Sequence, residues 1–128
     1  MFNNSFLKKL NILFIESNTE DREHFSNILY KFFNNVVVCS NGKDGIDNFL
    51  EKRQEYFLDI IICDKTLEDI TGIEVLKKIR EIDSEIPFII TSPKIEVDDL
   101  LIAIKYKATD YLSKPVNGKD MIFCIERV

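Results

Sequence analysis

No apolar stretch in this sequence approaches the roughly 20 residues that a bilayer-spanning helix requires. The polar segment Met1–Leu10 also lacks the apolar centre and small-residue cleavage site of a secretion signal. Both absences predict a cytoplasmic chain. Cysteine is scarce: Cys39, Cys63 and Cys124 are odd in number, far apart and never in C-x-x-C spacing. That excludes a disulfide framework or a zinc site and leaves reduced thiols packing as small hydrophobes. Three prolines and four glycines are too few for a linker, and no repeat or low-complexity block interrupts the chain. The 128 residues are therefore expected to form one domain. Positive charge is in deficit as well. Seventeen Lys and Arg face 22 Asp and Glu, a net charge of −5, the reverse of what a grip on nucleic-acid phosphates needs. The single histidine, His24, has no Cys or second His near it and reads as a surface residue.

What the chain does have is two alternating periods. Short apolar runs occur at Ile12–Ile15, Val36–Cys39, Ile60–Cys63 and Phe88–Ile90, with a weaker one at Asp110–Leu112. The first four are rich in Ile, Val and Phe without polar interruption, the pattern of strands buried on both faces of a parallel sheet. Between them the spacing turns helical. Phe25, Ile28, Leu29 and Phe32 mark the first helix, with Phe32 and Phe33 expected to pack or rim the core. Ile46, Phe49 and Leu50 mark the second, and Val75, Leu76, Ile79 and Ile82 the third. Val97, Leu100, Leu101 and Ile104 mark the fourth, and Met121, Ile122 and Ile125 the fifth. Each set predicts one apolar stripe against a sheet. Ser17 followed by Glu20 predicts a capping box at the start of the first helix. The tally is (βα)5, and right-handed crossovers then give a doubly wound α/β sheet with helices on both faces.

Ligands of such sheets gather at the carboxyl ends of the strands. The residues there are Glu16 and Ser17, Asp64 to Thr66, Thr91 and Ser92, and Ser113 to Pro115. Asp64 directly follows the third run, so it is expected on a rigid strand tip open to solvent. A carboxylate so placed can attack phosphorus and form an acyl phosphate. The reaction needs positive charge to offset the phosphoryl oxygens. Lys114 could supply it, Ser92 offers a hydroxyl, and Glu16 offers carboxylate oxygen for a hard cation such as Mg²⁺.

Four motifs now resemble the receiver domain of two-component response regulators, over nearly the whole chain. Ile12-Leu-Phe-Ile-Glu16 is similar to its first strand and acidic pocket. Asp64-Lys-Thr-Leu-Glu-Asp-Ile-Thr-Gly72 is similar to its phosphoacceptor loop. Ile86-Pro87-Phe-Ile-Ile-Thr-Ser92 resembles the strand that ends in the switch Ser/Thr, and Ala108-Thr-Asp-Tyr-Leu-Ser-Lys114-Pro115 the fifth-strand signature. The resemblance implies a flavodoxin-like five-stranded parallel sheet of order 2-1-3-4-5. It implies phosphorylation of Asp64 by a histidine kinase or phosphotransfer protein, with Mg²⁺ on Glu16, Asp64 and the Thr66 backbone carbonyl. Lys114 would pair with the phosphoryl group, Ser92 would be drawn toward it, and Tyr111 would turn inward. A cis Lys114–Pro115 bond would aim the lysine. The surface of the fourth helix, fifth strand and fifth helix would meet an output domain or partner protein, or a second copy. No direct nucleic-acid contact and no membrane contact are expected.

The departures from the family pattern are also legible. Ser17 stands where the direct metal ligand is commonly an acid, which predicts weak Mg²⁺ binding. Glu68 replaces a proline near the acceptor, Pro93 follows the switch serine, and Lys107 replaces a glycine. Each residue has a plainer reading too. Ser17 fits an N-cap, Tyr111 a half-buried packing aromatic, and Glu96, Asp98 and Asp99 the polar first turn of a helix or a partner-contact face. A second function is therefore open: a phosphorylation-independent binding module of the same fold. A third, a phosphatase using Asp64-Lys65-Thr66, lacks the Gly-Thr continuation and room for a cap domain. The chain stops at Val128 within the fifth predicted helix, which fits a bare regulator or the N-terminal part of a longer protein.

Overall fold

The computed structural model describes residues 4–127. The elements run α1 (Asn4–Leu7), β1 (Asn11–Ile15), α2 (Thr19–Phe32), β2 (Asn35–Cys39), α3 (Gly42–Lys52) and β3 (Ile60–Asp64). They continue with α4 (Gly72–Ile82), β4 (Phe88–Ser92), α5 (Val97–Lys105), β5 (Asp110–Ser113) and α6 (Gly118–Arg127). The single turn α1 was not legible in the sequence, so the fourth and fifth predicted helices are α5 and α6. The sheet order is β2-β1-β3-β4-β5 with every pairing parallel, as the resemblance implied.

Burial on both faces explains the uninterrupted runs of β1, β3 and β4, but the expectation fails for the Val36–Cys39 run, which forms an edge strand. Every residue of β1, β3 and β4 is buried, whereas β2 and β5 at the edges are only half covered. One face packs Leu13, Ile61 and Phe88 against Phe49 of α3, Leu76 of α4 and Ala103 of α5. The other packs Phe14, Ile62 and Ile89 against Leu29 of α2 and Ile122 of α6, closed by Leu7 of α1. The three thiols are buried and reduced, and His24 is exposed.

Two local expectations are corrected. The cap of α2 is Asn18, whose side chain accepts from the Asp21 N–H at 2.9 Å. Ser17 lies one residue too early, and its hydroxyl donates instead to the Thr66 carbonyl. A full capping box does form at α4, between Thr71 and Glu74. In α5 the expected stripe does not face the sheet: Val97, Leu101 and Ile104 are 71%, 60% and 63% exposed, while Ala103 is buried. This helix is apolar almost all round, so periodicity cannot choose the face. The small Ala103 side chain lets the backbone approach the sheet. At its far end, the Arg80 guanidinium donates to the carbonyls of Tyr106 (2.8 Å) and Lys107 (2.9 Å). Lys107 itself adopts a left-handed φ of 59°, the backbone conformation that favours the glycine it replaces.

Gly72 fixes the loop that follows β3. A Cβ there would lie 2.4 Å from the Asp64 carbonyl oxygen and 2.8 Å from Lys65 Cα, and its N–H donates to the Lys65 carbonyl at 2.7 Å. The Asp-to-Gly spacing of the motif thus reflects a backbone folded back onto itself.

Candidate functional site

The parallel register brings the strand ends level. Asp64 pairs with Thr91 and Ser92 with Ser113. Beyond the strands, Glu16 donates its N–H to the Cys39 carbonyl and Lys114 its N–H to the Ser92 carbonyl. Side chains from β1, β3 and the segment after β5 therefore meet. Lys114 Nζ lies 2.8 Å from Glu16 Oε1, 3.3 Å from Asp64 Oδ2 and 3.5 Å from Asp21 Oδ2. The Lys114–Pro115 peptide bond is cis.

Asp64 is not an open carboxylate. It ends β3 as a strand residue, only 4% exposed, because Lys114 and the Asn18 and Thr66 segments close around it. Access runs through a cavity of about 430 Å³ whose wall includes Ser17, Asn18, Asp21, Pro93 and Lys114. Glu68 is exposed and does not line that cavity, so its carboxylate stays outside.

Glu16 is buried between a second carboxylate and an ammonium. Burial, then the neighbouring Asp64 carboxylate, push Glu16 up to about 7, against the pull of Lys114. Burial alone would lower the Lys114 pKa, but the hydrogen bond to Glu16 and the Asp64 charge raise it. The linkage sign follows. Folded Glu16 holds a proton that unfolded Glu16 gives up near its ordinary value of 4.5. Stability therefore falls as pH rises from about 4.5 through about 7. We expect this one group to remove about 3 kcal/mol across that window. Glu16→Gln should flatten the slope, as read by urea denaturation at a series of pH values.

The other expected site residues are placed as follows. Ser92 is buried, and its hydroxyl donates to the Lys94 carbonyl at 2.8 Å, so it is committed to its own loop. The Tyr111 hydroxyl is already buried, next to Ser92, and the hydroxyl of Thr91, the sheet neighbour of Asp64, is buried without a hydrogen-bond partner. The Thr66 N–H faces Asp64 Oδ1 at 3.4 Å. The Thr66 carbonyl accepts from Ser17 Oγ at 3.0 Å, so the serine engages the oxygen assigned by resemblance to a metal.

Among the described residues, no group of three or more His, Cys, Asp or Glu is placed to hold a metal ion. The cavity wall still offers hard oxygens: the Asp21 and Asp64 carboxylates, the Ser17 hydroxyl and the Thr66 carbonyl. That set fits Mg²⁺, which keeps several waters and commonly takes only one or two carboxylates.

Three contributors escaped the sequence reading. Asp21, on the first turn of α2, carries the third carboxylate around Lys114. Asp69 pins the acceptor loop to α3 by accepting from the N–H groups of Gly42 (2.9 Å) and Lys43 (2.8 Å). Lys65 forms a close ion pair with Asp99, so Asp99 is more than the polar first turn of a helix. No local pattern marks such partners, which are more than 25 residues apart for the last two.

The family model described as "Response regulator receiver domain" matches residues 12–126. The response regulator ArlR of Staphylococcus aureus is 33% identical over 94 residues, covering 73% of this chain and 41% of that protein. The transcriptional regulatory protein ZraR of Klebsiella oxytoca is 35% identical over 82 residues, covering 64% of this chain and 18% of that protein. The chain thus spans less than half the length of either relative. A receiver domain crystal structure from Clostridium thermocellum superposes with a TM-score of 0.83 at 24% identity, over 92% of each chain, and supports the fold alone.

Proposed function

Because the chain belongs to the response regulator receiver domain family, we propose that Asp64 accepts a phosphoryl group from a histidine kinase or phosphotransfer protein and so switches a partner-binding surface. The observation that carries this reading is the Lys114 ammonium shared by Glu16, Asp64 and Asp21 at the wall of one cavity. An Asp64 carboxylate oxygen attacks phosphorus, and the donor's leaving atom departs with the bonding pair. Lys114 offsets charge on the acceptor and the incoming oxygens. Mg²⁺ held by Asp64, the Thr66 carbonyl and Ser17, with Glu16 nearby, would supply further charge compensation. Ser92 leaves the Lys94 carbonyl for a phosphoryl oxygen, and Tyr111 occupies the space behind it.

The surface of α5, β5 and α6 then meets an output domain, a partner protein or a second copy; its exposed Val97, Leu101 and Ile104 support such a contact. A phosphoryl-accepting switch, rather than an enzyme with turnover, is the activity of this family, and the phosphatase reading is set aside. Among the described residues no helix is long and apolar enough to cross a membrane. We place the chain in the cytoplasm, acting on proteins rather than directly on nucleic acid or membrane.

The test is intact mass after incubation with a small acyl phosphodonor and Mg²⁺. The wild type is expected to gain one phosphoryl group and Asp64→Asn none. An undiminished adduct in the variant, or none in the wild type, overturns the reading.

One observation favours a second function, a binding module that works without phosphorylation. The Ser17–Thr66 hydrogen bond already ties together two groups that a cation would otherwise bridge. Magnesium titration followed by calorimetry separates the two. Undetectable binding at millimolar metal favours the module. Ser17→Asp is expected to tighten binding about tenfold, as one added charge beside a divalent ion would. It should also weaken the metal-free fold.

A further inference from the structure

The pocket is short of positive charge. Three carboxylates share one ammonium, and a phosphoryl group would add roughly 1.5 to 2 negative charges. Two nearby cations are poorly placed to help. Arg22 is held by the backbone carbonyls of Glu16 and Ser17, at 3.1 Å each, and Lys94 is exposed at the surface.

Lys65 is different. It follows the acceptor directly in the chain, and its N–H is fixed on the Thr91 carbonyl at 2.8 Å. Its side chain is 18% exposed and forms a close ion pair with Asp99, 26% exposed, on the first turn of α5. The buried hydroxyl of Tyr111 sits beside Ser92, in the field of Lys65 and Asp99. One ammonium thus links the residue after Asp64 to the helix that carries the exposed apolar face.

We propose that Lys65 is a second cation for the phosphoryl group on Asp64, parked on Asp99 until that group arrives, so that loading frees the first turn of α5. The inference rests on the phosphoacceptor reading of Asp64. An ammonium on a flexible four-carbon stem can change partners, and a phosphoryl oxygen carrying more charge than a carboxylate is the stronger acceptor. Asp99 loses its partner in the exchange. Ser92 lets go of the Lys94 carbonyl in the same event, so the segment between β4 and α5 is released at both ends.

The experiment measures phosphoryl loading with a small acyl phosphodonor and Mg²⁺, alongside amide hydrogen exchange over residues 94–105. Lys65→Met keeps the stem without the charge and is expected to slow loading about tenfold. Asp99→Asn frees the ammonium and is expected to speed it several-fold. The double variant should match Lys65→Met, because Asp99 acts only through Lys65. Exchange over 94–105 should rise on loading in the wild type and be high without the donor in Asp99→Asn. Equal loading in all four proteins, additive effects in the double variant, or unchanged exchange in Asp99→Asn overturns the proposal. Failure of the wild type to load would instead strike the phosphoacceptor reading itself, while the exchange of unloaded Asp99→Asn still judges the pair.

Discussion

Replacing Lys114 with methionine is expected to cost about 3 kcal/mol of folding stability at pH 8. The side chain is only 16% exposed, and it is the cation shared by Glu16, Asp64 and Asp21. Methionine keeps the stem and removes the charge, leaving two carboxylates buried without compensation. Glu16, already pushed up to about 7 by its burial, can answer by binding a proton, so the cost should shrink toward acid pH. Below about pH 5 Glu16 is neutralised at little expense, because the unfolded carboxyl is then close to its own titration range. Guanidinium denaturation of both proteins at pH 5 and pH 8 checks this. Equal losses at the two pH values would show that Lys114 contributes packing and not charge.

Gly72→Ala is expected to cost about 3 kcal/mol as well, by a steric route and with little pH dependence. The added methyl would stand against the Asp64 carbonyl and the Lys65 Cα, and neither can rotate away. The loop must shift, and with it the hydrogen bond from Gly72 N–H to the Lys65 carbonyl. Gly45→Ala is the natural comparison. Its methyl would meet the Ile15 side chain at 2.3 Å, a tip that can adopt another rotamer, so its cost should be nearer 1 kcal/mol. Thermal unfolding of the two variants separates backbone obstruction from side-chain crowding. Phosphoryl loading of Gly72→Ala should fall as well, since the obstruction lies on the acceptor itself.

The fold was legible because burial on two faces writes itself as unbroken apolar runs in β1, β3 and β4, and the half-covered edge strands β2 and β5 still lie at the two remaining runs. The tips of β1, β3 and β5 followed from the sheet, and Glu16, Asp64 and Lys114 do meet. The misreadings have a common cause: local pattern is silent where two local solutions compete. Ser17 and Asn18 both suit a helix cap, and only the Thr66 carbonyl decides between them. The α5 sequence offers two apolar faces, and the sheet selects Ala103. The pairings of Asp21, Asp69 and Lys65 were invisible because their partners lie across the fold, and a charged side chain carries no local mark of its distant counterpart.

The Arg80 clamp has a mechanical consequence. It grips the carbonyls of Tyr106 and Lys107, immediately past the carboxyl end of α5. Any swing of that helix must therefore pivot there, like a drawbridge on its hinge. Nine residues of helix make a lever of about 13 Å, so the largest travel falls at Val97 and the smallest at Lys105. A partner reading the switch would gain most by touching the free end.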